Sequence, residues 1–206
     1  MKKNKGFTLV EMIVVVSIFA ILLGILIPSL NSILGFRVQR ATNSIAAALD
    51  QTKIEASGRL VGAMKLEKRA DGYYISYILD RGKVDGKDNI KVNENEEKIA
   101  PPKTSISYYV KGDSTERYLT EGNPIVLTYD RSSGAFLPLM KAEGWDDSES
   151  FDVLWHAQHE DAYLKSMQLD GDQYCSKIVV KGGSRTRTIT LIPETGKYTI
   201  TAGETS

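Results

Sequence analysis

MKKNKGFTLVEMIVVVSIFAILLGILIPSLNSILGF, residues 1–36, opens with Lys2, Lys3 and Lys5 and then carries no charged residue from Met12 to Phe36. A helix needs roughly 20 predominantly apolar residues to cross a hydrocarbon core about 30 Å thick, so this run reads as a membrane span. Three lysines precede it and Arg37 and Arg40 follow it. The short lysine-bearing side is expected to stay in the cytoplasm, with everything after Phe36 outside. A secretory signal has an apolar stretch of about 7 to 15 residues and then a small-residue cleavage site. Here the stretch is longer, and the nearest such site, 46–48, falls inside a helical pattern. The span is therefore expected to be retained.

Glu11 stands at the start of the apolar run. An ionised carboxylate costs about 2.5 to 3.5 kcal/mol at mid-bilayer and less near the interface, so such a residue calls for a partner. Within one helix the only cation able to reach it is a free amine at Phe7, four residues earlier, and that amine exists only if the chain is cut after Gly6. Between neighbouring helices the amine of one could meet the Glu11 of the next and set their axial register.

The run Lys5-Gly6-Phe7-Thr8-Leu9-Val10-Glu11, followed by Met12, Ile13 and a long apolar helix, resembles the class III signal of type IV prepilins and pseudopilins. The resemblance implies cleavage after Gly6, N-methylation of the new N-terminal Phe7, and an assembly role for Glu11. The implied partners are a prepilin peptidase and methyltransferase, other pilin or pseudopilin subunits, an inner-membrane assembly platform and the lipid bilayer. No cofactor is implied, and the chain is a peptidase's substrate rather than an enzyme.

Pro28 lies inside the span and is expected to kink or loosen it, because proline has no N–H to donate to the preceding turn. Beyond Phe36 the pattern turns amphipathic, with Val38, Ala41, Ile45, Ala48, Leu49 and Thr52 on one face. These intervals predict a helix continuing to about Ser57 and ending at Gly58, as a C-terminal cap, or at Gly62. Such a helix of about 50 residues would be roughly 75 Å long, too long for one membrane. Its second half must pack on a soluble domain.

After Gly62 the spacing predicts strands at 63–67, 73–79, 106–110, 125–129, 135–139, 178–181, 187–192 and 197–201. Tight turns are expected at Asp71-Gly72, Ser133-Gly134 and Thr195-Gly196. The expected fold class is α+β: a long N-terminal helix, transmembrane then amphipathic, packed on an antiparallel sheet domain in a pilin-like arrangement. The boundaries are a leader at 1–6, a transmembrane or fibre-core helix at 7–36, an amphipathic helix at 37–60 and an extracytoplasmic domain at 61–206. ALDQTKIEASG (48–58) leading into the first strand, then IVLTYDRSSGAF (125–136) and RTITLIPETGKYTI (187–200), resemble the H-type pseudopilins and related minor pilins. Two stretches, 80–104 with its dense charge and Pro101-Pro102, and 143–173, read as long loops.

The chain has 26 basic and 26 acidic residues among 206, so its overall charge selects no nucleic-acid or acidic partner. Loss of residues 1–6 removes three lysines and leaves the remainder mildly acidic. The single cysteine, Cys175, rules out an intrachain disulfide and reads as a small apolar core residue. His156 and His159 do not form the His-Glu-x-x-His pattern of zinc sites, and no metal site is assigned. Asp146, Asp147, Glu149, Asp152, Asp170 and Asp172 lack the alternating spacing of a calcium loop and read as a solvated face. No catalytic motif occurs. Lys181, Arg185 and Arg187, with Lys177, form the basic cluster of the C-terminal half. They are the candidate contact to DNA phosphates if the subunit serves DNA uptake, against cross-strand pairing with nearby acids. The remaining alternative is a membrane-anchored adhesin or enzyme.

Overall fold

The computed structural model describes residues 8–59, 61–84, 87–145 and 162–204, with side chains outside 25–34, 81–90 and 204. One helix, α1 (Leu9–Gly58), is followed by β1 (Val61–Arg69), β2 (Gly72–Val84), β3 (Lys87–Ala100), β4 (Ser105–Val110), β5 (Arg117–Tyr118), β6 (Ile125–Thr128), β7 (Cys175–Gly182), β8 (Arg185–Ile192) and β9 (Lys197–Glu204). The strands form two antiparallel sheets, β3-β2-β1-β6 and β5-β4-β7-β8-β9. This is the expected α+β class.

α1 is a single helix of 50 residues, about 75 Å at 1.5 Å per residue, and its assignment runs unbroken through Pro28. Its second half joins the sheets along the predicted stripe. Val38, Ala41, Ile45, Ala48, Leu49 and Thr52 are all buried, together with Ala56 one turn on. Their spacing puts one branched or long side chain on each turn, and the alanines between them let the sheets approach closely. The buried Thr42 and Thr52 hydroxyls donate to the carbonyls of Val38 and Ala48, four residues earlier, at 2.8 and 2.6 Å. No polar group is thereby stranded in this face. The helix ends where expected, but by a different device. Gly58 is its last residue and Arg59 the cap, with extended backbone at φ −127°. Gly62 is needed for close approach instead: a Cβ there would sit 2.4 Å from the backbone nitrogen of Ala56.

The first sheet is buried on both faces. Met64, Leu66, Ile75, Ile125 and Leu127 face the α1 core, whereas Val61, Ala63, Ile78 and Val126 face a second cluster with Met140, Trp145, Tyr163 and Met167. β6 is consequently buried at every position. The second cluster is covered by the chain on either side of 146–161. Lys141 N donates to Met167 O at 2.7 Å, and the Trp145 and Tyr163 rings meet edge to face at 6.0 Å.

Three expectations change. The stretch 80–104 is a hairpin rather than a loop, formed by the end of β2 and the whole of β3. β3 is an edge strand with only Ile99 and Ala100 buried among its described side chains, so no apolar alternation announces it. Ion pairs hold it instead, Arg69 with Glu96 at 2.5 Å and Lys98 with Asp71 at 2.7 Å. Bulges at Asn93 and Asn95, both at positive φ, distort its register. The predicted strand at 135–139 forms only one isolated bridge, Tyr129 with Phe136, and a second, Val126 with Met140, follows just beyond it. Pro138 has no N–H for a ladder, and the N–H groups of Phe136, Leu137 and Leu139 go to three different segments, at Pro193, Thr128 and Gln173. The stretch 143–173 includes a helical turn at 162–167 and packs through Trp145, Tyr163 and Met167. The predicted turns are present, and Gly196 (φ +59°) tolerates no side chain, because a Cβ would lie 1.8 Å from the Gly134 carbonyl oxygen.

Candidate functional site at the helix N-terminus

The first turn of α1 is closed by a reciprocal cap. Thr8 is the N-cap, with extended backbone at φ −78° and ψ 153°. Its N–H donates to Glu11 Oε2 at 2.7 Å and its hydroxyl to the same oxygen at 2.8 Å. In return the Glu11 N–H donates to Thr8 Oγ1 at 3.3 Å. Two donors otherwise orphaned at a helix start are thus satisfied, and a negative side chain sits at the positive end of the helix dipole. Both donations from Thr8 go to Oε2, so Oε1 takes no part in the cap.

Sequence reasoning saw Glu11 as a charge seeking a cation and overlooked its neutral partner Thr8. The signal was available, because Thr8-Leu9-Val10-Glu11 is the Thr-x-x-Glu pattern of a capping box. The cap fixes the Glu11 side chain against its own helix and lowers the cost of carrying it at the edge of an apolar segment. Gly6 and Phe7 lie outside the described residues.

After this turn the side chains change character. From Leu9 to Leu23 the large apolar residues are between 44% and 75% exposed, in contrast with the fully buried stripe from Val38 onward. Ser17 returns its hydroxyl to Ile13 O at 2.8 Å, so the polar group in this stretch is satisfied within the helix. Among the described residues no helix is long and apolar enough to cross a membrane. The apolar stretch with described side chains stops at Gly24, short of the roughly 20 residues required.

Residues 1–27 match the family model of the prokaryotic N-terminal methylation motif. This motif is the class III signal of type IV prepilins and pseudopilins, and the match supports that family through the N-terminal segment. The capped turn lies within the matched segment, and the motif implies processing by a prepilin peptidase and assembly with other pilins. Neither a comparison with curated proteins nor one with solved structures found a match.

Elsewhere in the chain the residues singled out from sequence are dispersed. In the β7–β8 ladder Lys181 stands opposite Thr186, whereas Arg187 stands opposite Val180 and Arg185 opposite Gly182. Opposed residues share a face, so Lys181 and Lys177 project from one side of the sheet and Arg185 and Arg187 from the other. Lys181 is bonded to Glu116 at 2.7 Å, and Glu116 also accepts from Ser107 at 2.6 Å. The Lys177 ammonium lies 6.0 Å from the centre of the Tyr109 ring. The four cations do not form one patch. Cys175 is buried, and desolvation pushes its thiol up to about 12. His156, His159, Asp146, Asp147, Glu149 and Asp152 lie outside the described residues; Asp170 and Asp172 flank a turn.

Proposed function

We propose that the chain is a structural subunit, a minor pilin or pseudopilin, of a type IV pilus-like or type II secretion-like fibre. It enters the membrane with its N-terminus in the cytoplasm and its β domain outside. A peptidase then cuts after Gly6, Phe7 becomes an N-methylated amine, and the subunit leaves the bilayer as its helix joins those of its neighbours. The observation that carries the reading is the division of one 50-residue helix into a buried stripe fastened to the β domain and an apolar stretch whose large side chains stand exposed from Leu9 to Leu23. An apolar helix without a partner needs lipid or other helices around it, and a fibre core supplies the second.

Glu11 gives that assembly its register. In an apolar bundle an unpaired carboxylate is costly, and the Phe7 amine of a neighbouring subunit offers the cation that the Thr8 cap does not. The Glu11 oxygen that the cap does not use, Oε1, is where that amine would bind. The resemblance of the strand and turn sequences favours the H-type pseudopilins and related minor pilins as the subtype. No catalytic role is assigned. The division of Lys181 from Arg185 and Arg187 between sheet faces gives the DNA-uptake alternative no continuous basic surface.

The test is Glu11→Ala in cells that make the fibre. The expected result is normal cleavage with incorporation into the sheared fibre fraction reduced at least about tenfold, which corresponds to about 1.4 kcal/mol per subunit added. Wild-type incorporation of Glu11→Ala would remove the carboxylate from the account.

A further inference from the structure

We propose that the end of the β domain from which α1 emerges is a docking face for anionic lipid headgroups, a reading that rests on the membrane anchorage proposed above. Two clefts flank the helix there. One is lined by Gly35, Phe36, Arg185 and Arg187, the other by Arg37, Arg40, Lys98 and Pro101. Their volumes, about 240 and 260 Å³, fall below the roughly 300 Å³ at which whole small-molecule sites begin, and suit a single charged headgroup.

The positions follow from the fold. Gly35 lets β8 approach, since a Cβ there would be 3.3 Å from Arg185 Cγ. Lys103 is exposed on the turn closed by Thr104 N to Pro101 O, beside the second cleft. The uncharged part of α1 stops at this face: Phe36 is 70% exposed, and Arg37 and Arg40 follow within one turn. An exposed aromatic ring succeeded by arginines is the chemistry of a bilayer interface, where the ring lies at headgroup level and the guanidinium groups reach the phosphates.

The acids nearby are largely engaged within the domain. Asp71 holds Lys98 at 2.7 Å, and Glu97 accepts from Ser44 at 3.3 Å. Arg185 has interactions of its own within the protein. Arg37, Arg40 and Lys103 form no ion pair among the described residues. No described acid neutralises them, so they offer positive charge at this face. A fluid layer of negative headgroups matches a ring of cations around a helix better than a single ligand does, because the charges are spread over several elements. Docking would keep the domain seated on the membrane before assembly, and extraction of the helix would release it.

The full chain, placed in nanodiscs of phosphatidylcholine alone or with phosphatidylglycerol, tests this by amide hydrogen exchange. The proposal expects exchange at Lys103, Thr104 and 183–187 to slow about fivefold in the anionic discs. It expects that protection to vanish at high salt and in R37Q/R40Q, while protection in β1 and β7 stays at the wild-type level in the variant. Equal exchange in both discs after full insertion would overturn this inference and leave the fibre reading standing. Failure of the chain to insert into either disc would overturn both.

Discussion

Thr8 and Glu11 share two tasks that a matched pair of substitutions separates. The carboxylate accepts from the N–H and hydroxyl of Thr8 and closes the helix start, and the same carboxylate is the charge proposed to meet a neighbour's amine. Glu11→Gln keeps an acceptor oxygen for the cap and removes the charge. It is expected to leave amide protection at the start of α1 close to wild type in micelles, while fibre incorporation falls as it does for Glu11→Ala. Thr8→Val has the converse effect, with the helix start losing about 1 kcal/mol and fraying over its first turn. Next to them, Gly6→Val is expected to block peptidase cleavage more severely than Gly6→Ala, read as the ratio of uncut to cut chain on a gel. Cys175 offers a check on the core: with its thiol pushed up to about 12, alkylation at pH 8 should proceed only at the rate of unfolding.

At the scale of elements, the amphipathic half of α1 joins the two sheets, and its stripe is the place to test them. Leu49→Ala removes a fully buried side chain and should lower unfolding stability by about 2 to 5 kcal/mol in a denaturant titration of the full chain in detergent. A cost under about 1 kcal/mol would mean that the helix is not fastened to the sheets as described. This stripe was legible because Val38, Ala41, Ile45, Ala48, Leu49 and Thr52 repeat at helical intervals and bury one face only. β1, β7 and β8 were legible as short apolar and β-branched runs bounded by turn residues. β3 was not, since an edge strand that buries little and is held by Arg69–Glu96 and Lys98–Asp71 has the composition of a charged loop. The segment 135–139 misled in the other direction, its apolar residues filling two cores without pairing as a strand. The Thr8–Glu11 cap was written plainly in four residues, but the unusual depth of an acid drew attention to its charge and away from its hydrogen bonds.

For the whole molecule, the β domain draws its stability from its two cores and from ion pairs that tie distant segments, and these respond to pH with a definite sign. The Lys181 ammonium and the Ser107 hydroxyl hold Glu116 below its ordinary value of 4.5. Its contribution is therefore complete above that value and is lost as pH falls through the lower folded-state value. The partner Lys181 is raised above 10.5 by Glu116, so its contribution is complete below 10.5 and lost as pH rises through the higher folded value. Glu116→Gln should flatten stability at both ends, with the wild-type and variant curves most separated between about pH 5 and 10. The same domain is carried on a helix whose large apolar side chains from Leu9 to Leu23 stand exposed, and on this the functional account rests. Mass determination of the intact N-terminus, on protein recovered from sheared fibres, tests it most directly. The account predicts a chain that begins at N-methylated Phe7. A fibre subunit that still carries Met1 to Gly6 would contradict it.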